Sequence, residues 1–253
     1  MEALKKIRPN RNLVTLLATL HYKGEYHLLF PWAEGGNLLN MWRDHHALPS
    51  IDIYWMQWLA EQCCGLAEGL SGIHDASMHT SELAVPSDLK RSSPRDKTGG
   101  RDYGRHGDIK PQNILWFRQE HNSHGHGVLK ISDFGVTMFH SELTTKVLAD
   151  NVRGITQSYA APEFELGNAV SRPYDIWSLG CIFMEFITWA LLGFLGVQEF
   201  RTNRKADPDS RDNFTGDDFY GIYRSRSKIR PWRRQKLALV KPSVTAVSQH
   251  LSS

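Results

Sequence analysis

The sequence predicts an α+β fold, helical through most of its length, and three observations carry that prediction. Two short apolar runs, Leu13 to Leu20 and Glu25 to Trp32, flank a Lys23-Gly24 turn and read as an antiparallel strand pair. From Ile51 to Ile73, apolar residues (Trp55, Leu59, Leu66, Leu70 and Ile73) recur at helical spacing. From Cys181 to Val197 the chain is almost wholly apolar, interrupted by Glu185. That run is shorter than the ~20 residues of a membrane span, so it reads as a core helix, with a span as the lesser alternative.

Residues 1–9 read as the end of a helix, with Leu4 and Ile7 three apart and Pro9 stopping it. After the strand pair, Gly35-Gly36 breaks the chain and Asn37 is placed to cap a helix. Residues 76–105 are rich in Ser, Pro, Lys, Arg, Asp and Gly and read as an inserted exposed loop. Ile114 to Phe117 and Val128 to Ser132 are strand-like. The histidines between them (His121, His124 and His126) have no cysteine or carboxylate in a ligand spacing, which favours a hairpin loop over a metal site. Residues 137–158 read as loop, and helix resumes at Asp175. Beyond Arg201 the chain is polar and patchy, and weak order is expected there. No internal repeat is evident.

Thirty Lys and Arg against 27 Asp and Glu give a net charge of +3, too small to argue for nucleic acid. The basic run from Arg224 through Arg230 and Arg233 to Lys236 reads as a solvated surface or frayed tail. The three cysteines, Cys63, Cys64 and Cys181, form no disulfide or zinc pattern. With no apolar leader at the N-terminus, the reading is an intracellular protein, cytoplasmic or nuclear, with no membrane partner.

Four motifs then occur in one order: His106-Gly107-Asp108-Ile109-Lys110-Pro111-Gln112-Asn113, Asp133-Phe134-Gly135, Ala161-Pro162-Glu163, and Asp175-Ile176-Trp177-Ser178-Leu179-Gly180. Singly each recurs by chance. Together they resemble the catalytic loop, magnesium loop, activation-segment end and central helix of eukaryotic protein kinases of the serine/threonine type, in a spelling similar to a group common in fungi. The resemblance implies a kinase-like α+β fold, a mostly helical C-lobe with a remnant two-strand N-lobe. It runs from residue 1 to about 200: 1–33 as N-lobe remnant and hinge, 34–200 as C-lobe with the 76–105 insert. Residues 201–253 are left as a poorly ordered remnant of the C-lobe.

The resemblance also implies roles. Asp108 would accept the proton of a substrate hydroxyl. Lys110 would place a positive charge on the transferred phosphate. Asn113 and Asp133 would hold Mg2+, a hard cation that prefers oxygen. Thr156 would bridge the catalytic Asp and Lys. ATP's adenine would meet Phe30, Pro31 and Ala33, its ribose Asn37, and Leu115 would lie beneath the ring. Asp175 would receive backbone N–H groups of the catalytic loop. His106 and Phe134, with Leu4 and Leu16, would stack in a column joining the lobes. Glu163 would pair with an arginine whose position the sequence does not reveal.

The sequence departs from the family in three places. Gly107 stands where an arginine is usual, which argues against control by an activation-segment phosphate, although Ser141, Thr144, Thr145 and Ser158 remain candidate sites. No Gly-rich loop and no Val-Ala-x-Lys strand is found, and the last C-lobe helices have no clear counterpart beyond residue 200. Phe214, Phe219 and Tyr220 begin that region, and Val240-Lys241-Pro242-Ser243-Val244 is similar to a segment of related fungal kinases. Uncovered strands imply poor solubility or dependence on a partner. The reading is an ATP- and Mg2+-dependent protein serine/threonine kinase. The alternatives are a binding module of that fold without turnover, then a small-molecule phosphotransferase.

Overall fold

Residues 9–44, 52–75, 77–78, 102–120, 125–133, 157–167, 172–211, 216–226 and 234–250 are described by the computed structural model. In chain order the elements are β1 (Ala18–Tyr22), β2 (Glu25–Leu29), α1 (Leu38–Asp44), α2 (Ile53–Asp75), and the two-residue strands β3 (Ser77–Met78) and β4 (Asp102–Tyr103). Then come β5 (Ile114–Phe117), β6 (Val128–Ile131), the single helical turn α3 (Pro162–Glu165), α4 (Arg172–Ala206), β7 (Tyr220–Arg226), β8 (Arg234–Val240) and α5 (Pro242–His250). The strands pair two by two, each pair antiparallel.

Lys23 and Gly24 both adopt left-handed backbone (φ 49° and 83°), which closes β1 on β2 in a tight turn. β2 is exposed along its whole length. The strand before the turn starts later than the apolar run suggests, because residues 12–14 belong to the core instead. Val14 N–H donates to the Ile131 carbonyl (2.9 Å), and Ile131 N–H donates to the Asn12 carbonyl (2.8 Å).

Both early helices begin on a side-chain cap. Asn37 Oδ1 accepts the Asn40 N–H at 2.9 Å, as the sequence suggests, and Asp52 Oδ1 accepts the Trp55 N–H at 2.8 Å. They converge on an aromatic core of Trp42, Trp55, Trp58, Phe186 and Trp189, with neighbouring ring centroids 5.9–6.2 Å apart. Two indoles meet their polar demand inside it: Trp189 Nε1 donates to the Trp42 carbonyl (3.0 Å) and Trp58 Nε1 to the Gly127 carbonyl (2.8 Å).

Gly65 lets α2 approach the chain closely at Asn12, where a methyl group would sit 2.2 Å from Asn12 Oδ1. That amide is not free to yield, since its Nδ2 donates to the Leu129 carbonyl at 2.8 Å. Gly65→Ala is expected to destabilise the protein by about 1–3 kcal/mol through this overpacking, read from the urea midpoint.

β3 and β4 pair Ser77 with Tyr103 and Met78 with Asp102, so the two ends of the 76–105 insert are joined by a short ladder. Residues 79–101 lie outside the described residues, as do His121 and His124. His126 packs edge-on against Trp58. Among the described residues no group of three or more His, Cys, Asp or Glu is gathered for a metal ion.

α4 is the one helix among the described residues long and apolar enough to cross a membrane. Half of its most apolar window is buried, with Ile182, Phe186 and Trp189 in the core, and Gly193 (φ 70°, ψ −171°) breaks it.

Past Arg201 the structure differs from the expected weak order. α4 runs on to Ala206, and β7, β8 and α5 follow. Buried charges organise this part together with the apolar residues Phe219, Tyr220 and Ile222. Arg204 is fully buried and stacks on the rings of Phe200 (4.2 Å) and Phe219 (4.0 Å). Lys241, also fully buried, donates from Nζ to the Arg204 carbonyl at 2.6 Å. α5 then starts on Asp207, whose Oδ2 accepts the Ser243 N–H (3.0 Å). This accounts for the Val240-Lys241-Pro242-Ser243-Val244 segment: lysine closes the end of α4, proline opens α5, and serine ties α5 back.

Candidate active site

The loop that precedes β5 is held from below by Asp175, a fully buried carboxylate in the first turns of α4. Its Oδ2 accepts the His106 N–H (2.8 Å) and its Oδ1 the Gly107 N–H (2.7 Å). Asp175 therefore does what the family resemblance implies. His74, at the end of α2, adds a third contact at 2.8 Å from Nε2 to Asp175 Oδ2. Gly107 has φ 81°, a left-handed conformation that an arginine would occupy at a steric cost. The departure at this position thus follows from the backbone.

His106 is completely buried, and its tautomer follows from its partners. The Ser132 carbonyl, 2.8 Å from Nε2, can only accept, so Nε2 carries the proton; Nδ1 accepts the Asp108 N–H at 3.2 Å. Burial pushes this imidazole below the usual histidine range, against the opposing pull of the Ser132 carbonyl and the carboxylates of Asp175, Asp108 and Asp133. His106 thus ties the loop of Asp108 to the residue before Asp133, since its ring accepts the Asp108 N–H and donates to the Ser132 carbonyl.

Asp108, Lys110 and Asn113 converge. Lys110 Nζ lies 2.7 Å from Asp108 Oδ2, and Asn113 Nδ2 donates to the same oxygen (3.0 Å) and to the Asp108 carbonyl (2.9 Å). The side chains of Asp108 and Lys110 are partly exposed, so a ligand can reach both. A short helical turn over Pro111–Asn113 sets the spacing, closed by Asn113 N–H to the Lys110 carbonyl (2.9 Å). Ser132 then locks the two strands together: its N–H and its Oγ both donate to the Asn113 carbonyl (2.8 and 2.9 Å). The next residue is Asp133, exposed and at φ 62°, a left-handed conformation that aspartate tolerates better than most residues. Phe134, Gly135 and Thr156 lie outside the described residues.

The residues expected at the nucleotide base are brought to the same place from the other side. Gly35 N–H donates to the Trp116 carbonyl (3.0 Å), Trp116 N–H donates to the Gly36 carbonyl (2.8 Å), and Asn37 bridges to Leu115. Asn37 and Leu115 are therefore adjacent, two residues along β5 from Asn113. Gly35 is required for this approach, since a methyl group there would sit 2.6 Å from both the Trp116 carbonyl oxygen and its ring. Phe30, Pro31 and Ala33 lead directly into this contact. The Ala33 carbonyl also accepts the Gly36 N–H (3.0 Å), so the chain's own turn uses part of the acceptor capacity expected for a ligand.

A second cluster lies beyond the activation-segment end. Glu185, fully buried on α4, accepts from Arg201 Nε (2.9 Å), Arg204 (2.7 Å) and the Tyr159 hydroxyl (2.6 Å). Burial alone would raise its pKa, but the hydrogen bonds and charges of Arg201 and Arg204, with the bond from Tyr159, hold it below the usual glutamate range. Ser158 donates to Asp217 next to it. No arginine pairs with Glu163 among the described residues; Arg211 comes to 3.7 Å from Glu165 instead. Sequence reading missed His74, Ser132, Tyr159, Arg201 and Arg204. The available signal was Glu185 itself, a lone charge in an apolar run that must find partners.

Residues 104–206 match the protein kinase domain family. The chain carries a segment of the eukaryotic protein kinase superfamily. The chain is similar to cyclin-dependent kinase E-1 of Arabidopsis thaliana, 39% identical over 84 residues, which is 33% of this chain and 17% of that protein. It is similar to serine/threonine-protein kinase nekl-2 of Caenorhabditis elegans at 44% over 86 residues, 32% of this chain and 20% of the relative. It is also similar to dual specificity tyrosine-phosphorylation-regulated kinase 3 of Homo sapiens, 39% over 84 residues, 33% of this chain and 12% of the relative. The chain thus spans a fifth or less of the length of these kinases.

Proposed function

We propose that this chain acts in protein serine/threonine phosphorylation, with Asp108 as the base and ATP with Mg2+ as cofactors. One observation carries the reading: the Asp108 carboxylate is fixed by Lys110 and Asn113 (2.7 and 3.0 Å), and the buried ring of His106 bonds both the Asp108 N–H (3.2 Å) and the carbonyl of Ser132 (2.8 Å), the residue before Asp133. Phosphoryl transfer needs positioned charge more than covalent help. Asp108 receives the hydroxyl proton and aims the oxygen. Lys110, held beside it, turns its ammonium to the transferred phosphate. The resemblance gives Thr156 the role of bridging these two residues, and Lys110 in this loop is the serine/threonine pattern.

The residues fit a magnesium ion. Both bonds recorded for the Asn113 side chain leave through Nδ2, so its amide oxygen is the donor on offer. Asp133 adds an exposed carboxylate. Two hard oxygens from the protein match an ion that takes its remaining ligands from phosphates and water. Magnesium bound there would offset negative charge on the phosphates. Phe30, Pro31, Ala33, Asn37 and Leu115 hold the base and ribose, and the acceptor is a protein hydroxyl in an intracellular setting.

The exposure of β2 along its whole length favours a second reading, a binding module that keeps the fold without turnover. Incorporation of labelled phosphate into a generic protein substrate separates the two. Asp108→Ala is expected to cut it by about a hundredfold or more, the usual range for a general base. Incorporation that survives the substitution contradicts the assignment. A thermal shift with Mg-ATP but no incorporation favours the module.

A further inference from the structure

The net charge of +3 conceals a sharp segregation. From Phe219 to Ser253 the chain has eight Lys and Arg and no Asp or Glu, so all 27 acidic residues, with 22 basic ones, lie in residues 1–218. Such asymmetry points to a polyanionic partner more strongly than any net value. The structure adds what the sequence does not show, namely where these charges fall. β7 and β8 pair with Arg224 opposite Lys236 and Arg226 opposite Arg234. Directly opposed residues share a face of an antiparallel pair, as do residues two apart on one strand. The register therefore puts positions 224, 226, 234 and 236 on one face of the hairpin, and Arg224 and Lys236 are exposed.

Like charges in direct opposition destabilise a ladder, and a two-stranded hairpin is marginal without support. Here the other half of the hairpin supplies the support. Tyr220 and Ile222 are buried, Ser210 N–H donates to the Ile222 carbonyl (2.8 Å), and the Tyr223 hydroxyl donates to the Pro208 carbonyl (2.8 Å). The hairpin is thus anchored at one end and bears its cations towards the other.

We propose that this face binds the phosphate backbone of a single-stranded nucleic acid. Three of the four cations are arginines, whose planar fork matches phosphate oxygens. Along each strand the cations lie two residues apart, roughly 6.6 Å, a row suited to an extended chain of phosphates. A membrane fits less well. Leu237 and Leu239 are exposed, but period two puts them on the opposite face, so one flat surface cannot take both the cations and the leucines.

The test is fluorescence anisotropy of a labelled 20-nucleotide single strand with the full chain, competed by anionic phospholipid vesicles and by polyglutamate. Four phosphate contacts predict a loss of affinity of about fifty-fold between 50 and 200 mM salt. Arg224→Glu/Lys236→Glu is expected to weaken binding by about tenfold or more and to flatten the salt slope, while Leu237→Ser/Leu239→Ser leaves both unchanged. Lack of saturable binding at 50 mM salt overturns the proposal. So does equal affinity of the Glu variant, or vesicles or polyglutamate displacing the strand at equal charge concentration. If the Glu variant does not fold, the wild-type salt slope and the two competitions decide.

Discussion

Glu185→Ala is expected to lower stability by about 3–5 kcal/mol, the range for stranding a buried charge. Arg204 would be left fully buried, with Asp217 at 3.7 Å as its remaining carboxylate, the Tyr159 hydroxyl would lose its acceptor, and Arg201 would keep the Tyr159 hydroxyl (3.1 Å) but lose the carboxylate. The urea midpoint should fall at an unchanged slope. Glu185→Leu combined with Arg204→Met should recover much of the loss, because an apolar pair of similar volume avoids the desolvation both charges incur. The same carboxylate sets an acid limit. Its folded pKa lies below the unfolded value, so its contribution is complete above the usual glutamate range and is lost as pH falls through the folded value. A loss under about 1 kcal/mol for Glu185→Ala would mean that the network contributes little.

Asp175→Ala is expected to cost a similar amount and to disable the site as well. Three donors, the His106 and Gly107 N–H groups and His74 Nε2, would be left facing an apolar methyl in a dry interior. About 3–5 kcal/mol is expected from stability curves, together with faster amide exchange at residues 106–108. Asp108 would lose its fixed position, because its own N–H is held by the ring of His106. Phosphate incorporation should therefore fall even at temperatures where the variant remains folded. A variant that kept both its midpoint and its exchange protection would show that the loop is held some other way.

Much of the fold could be read from periodicity. α2 and the β5–β6 pair lie close to where the apolar spacing puts them, and Asn37 caps α1. The candidate site was legible for a different reason: the proposed phosphoryl transfer demands particular residue types at short fixed spacings, and Asp108, Lys110 and Asn113, which the structure brings together, lie within one loop. What was missed depends on contacts distant in sequence. Arg201 and Arg204 look like ordinary polar residues until Glu185 is seen beside them, and Lys241 reads as a surface lysine although it is buried at the end of α4. Gly107 reads as the loss of a phosphate-binding arginine, whereas the backbone shows a left-handed turn that favours glycine. The run from Arg224 to Lys236 reads as a frayed tail because composition does not reveal strand register.

Calorimetric titration with Mg-ATP tests the convergence of Asp108, Lys110, Asn113 and Asp133 most directly, and it requires no turnover. Saturable binding that disappears with EDTA, and that weakens by about tenfold or more in Asp133→Asn at unchanged thermal stability, is the predicted result. Binding that ignores both the chelator and the substitution would contradict it.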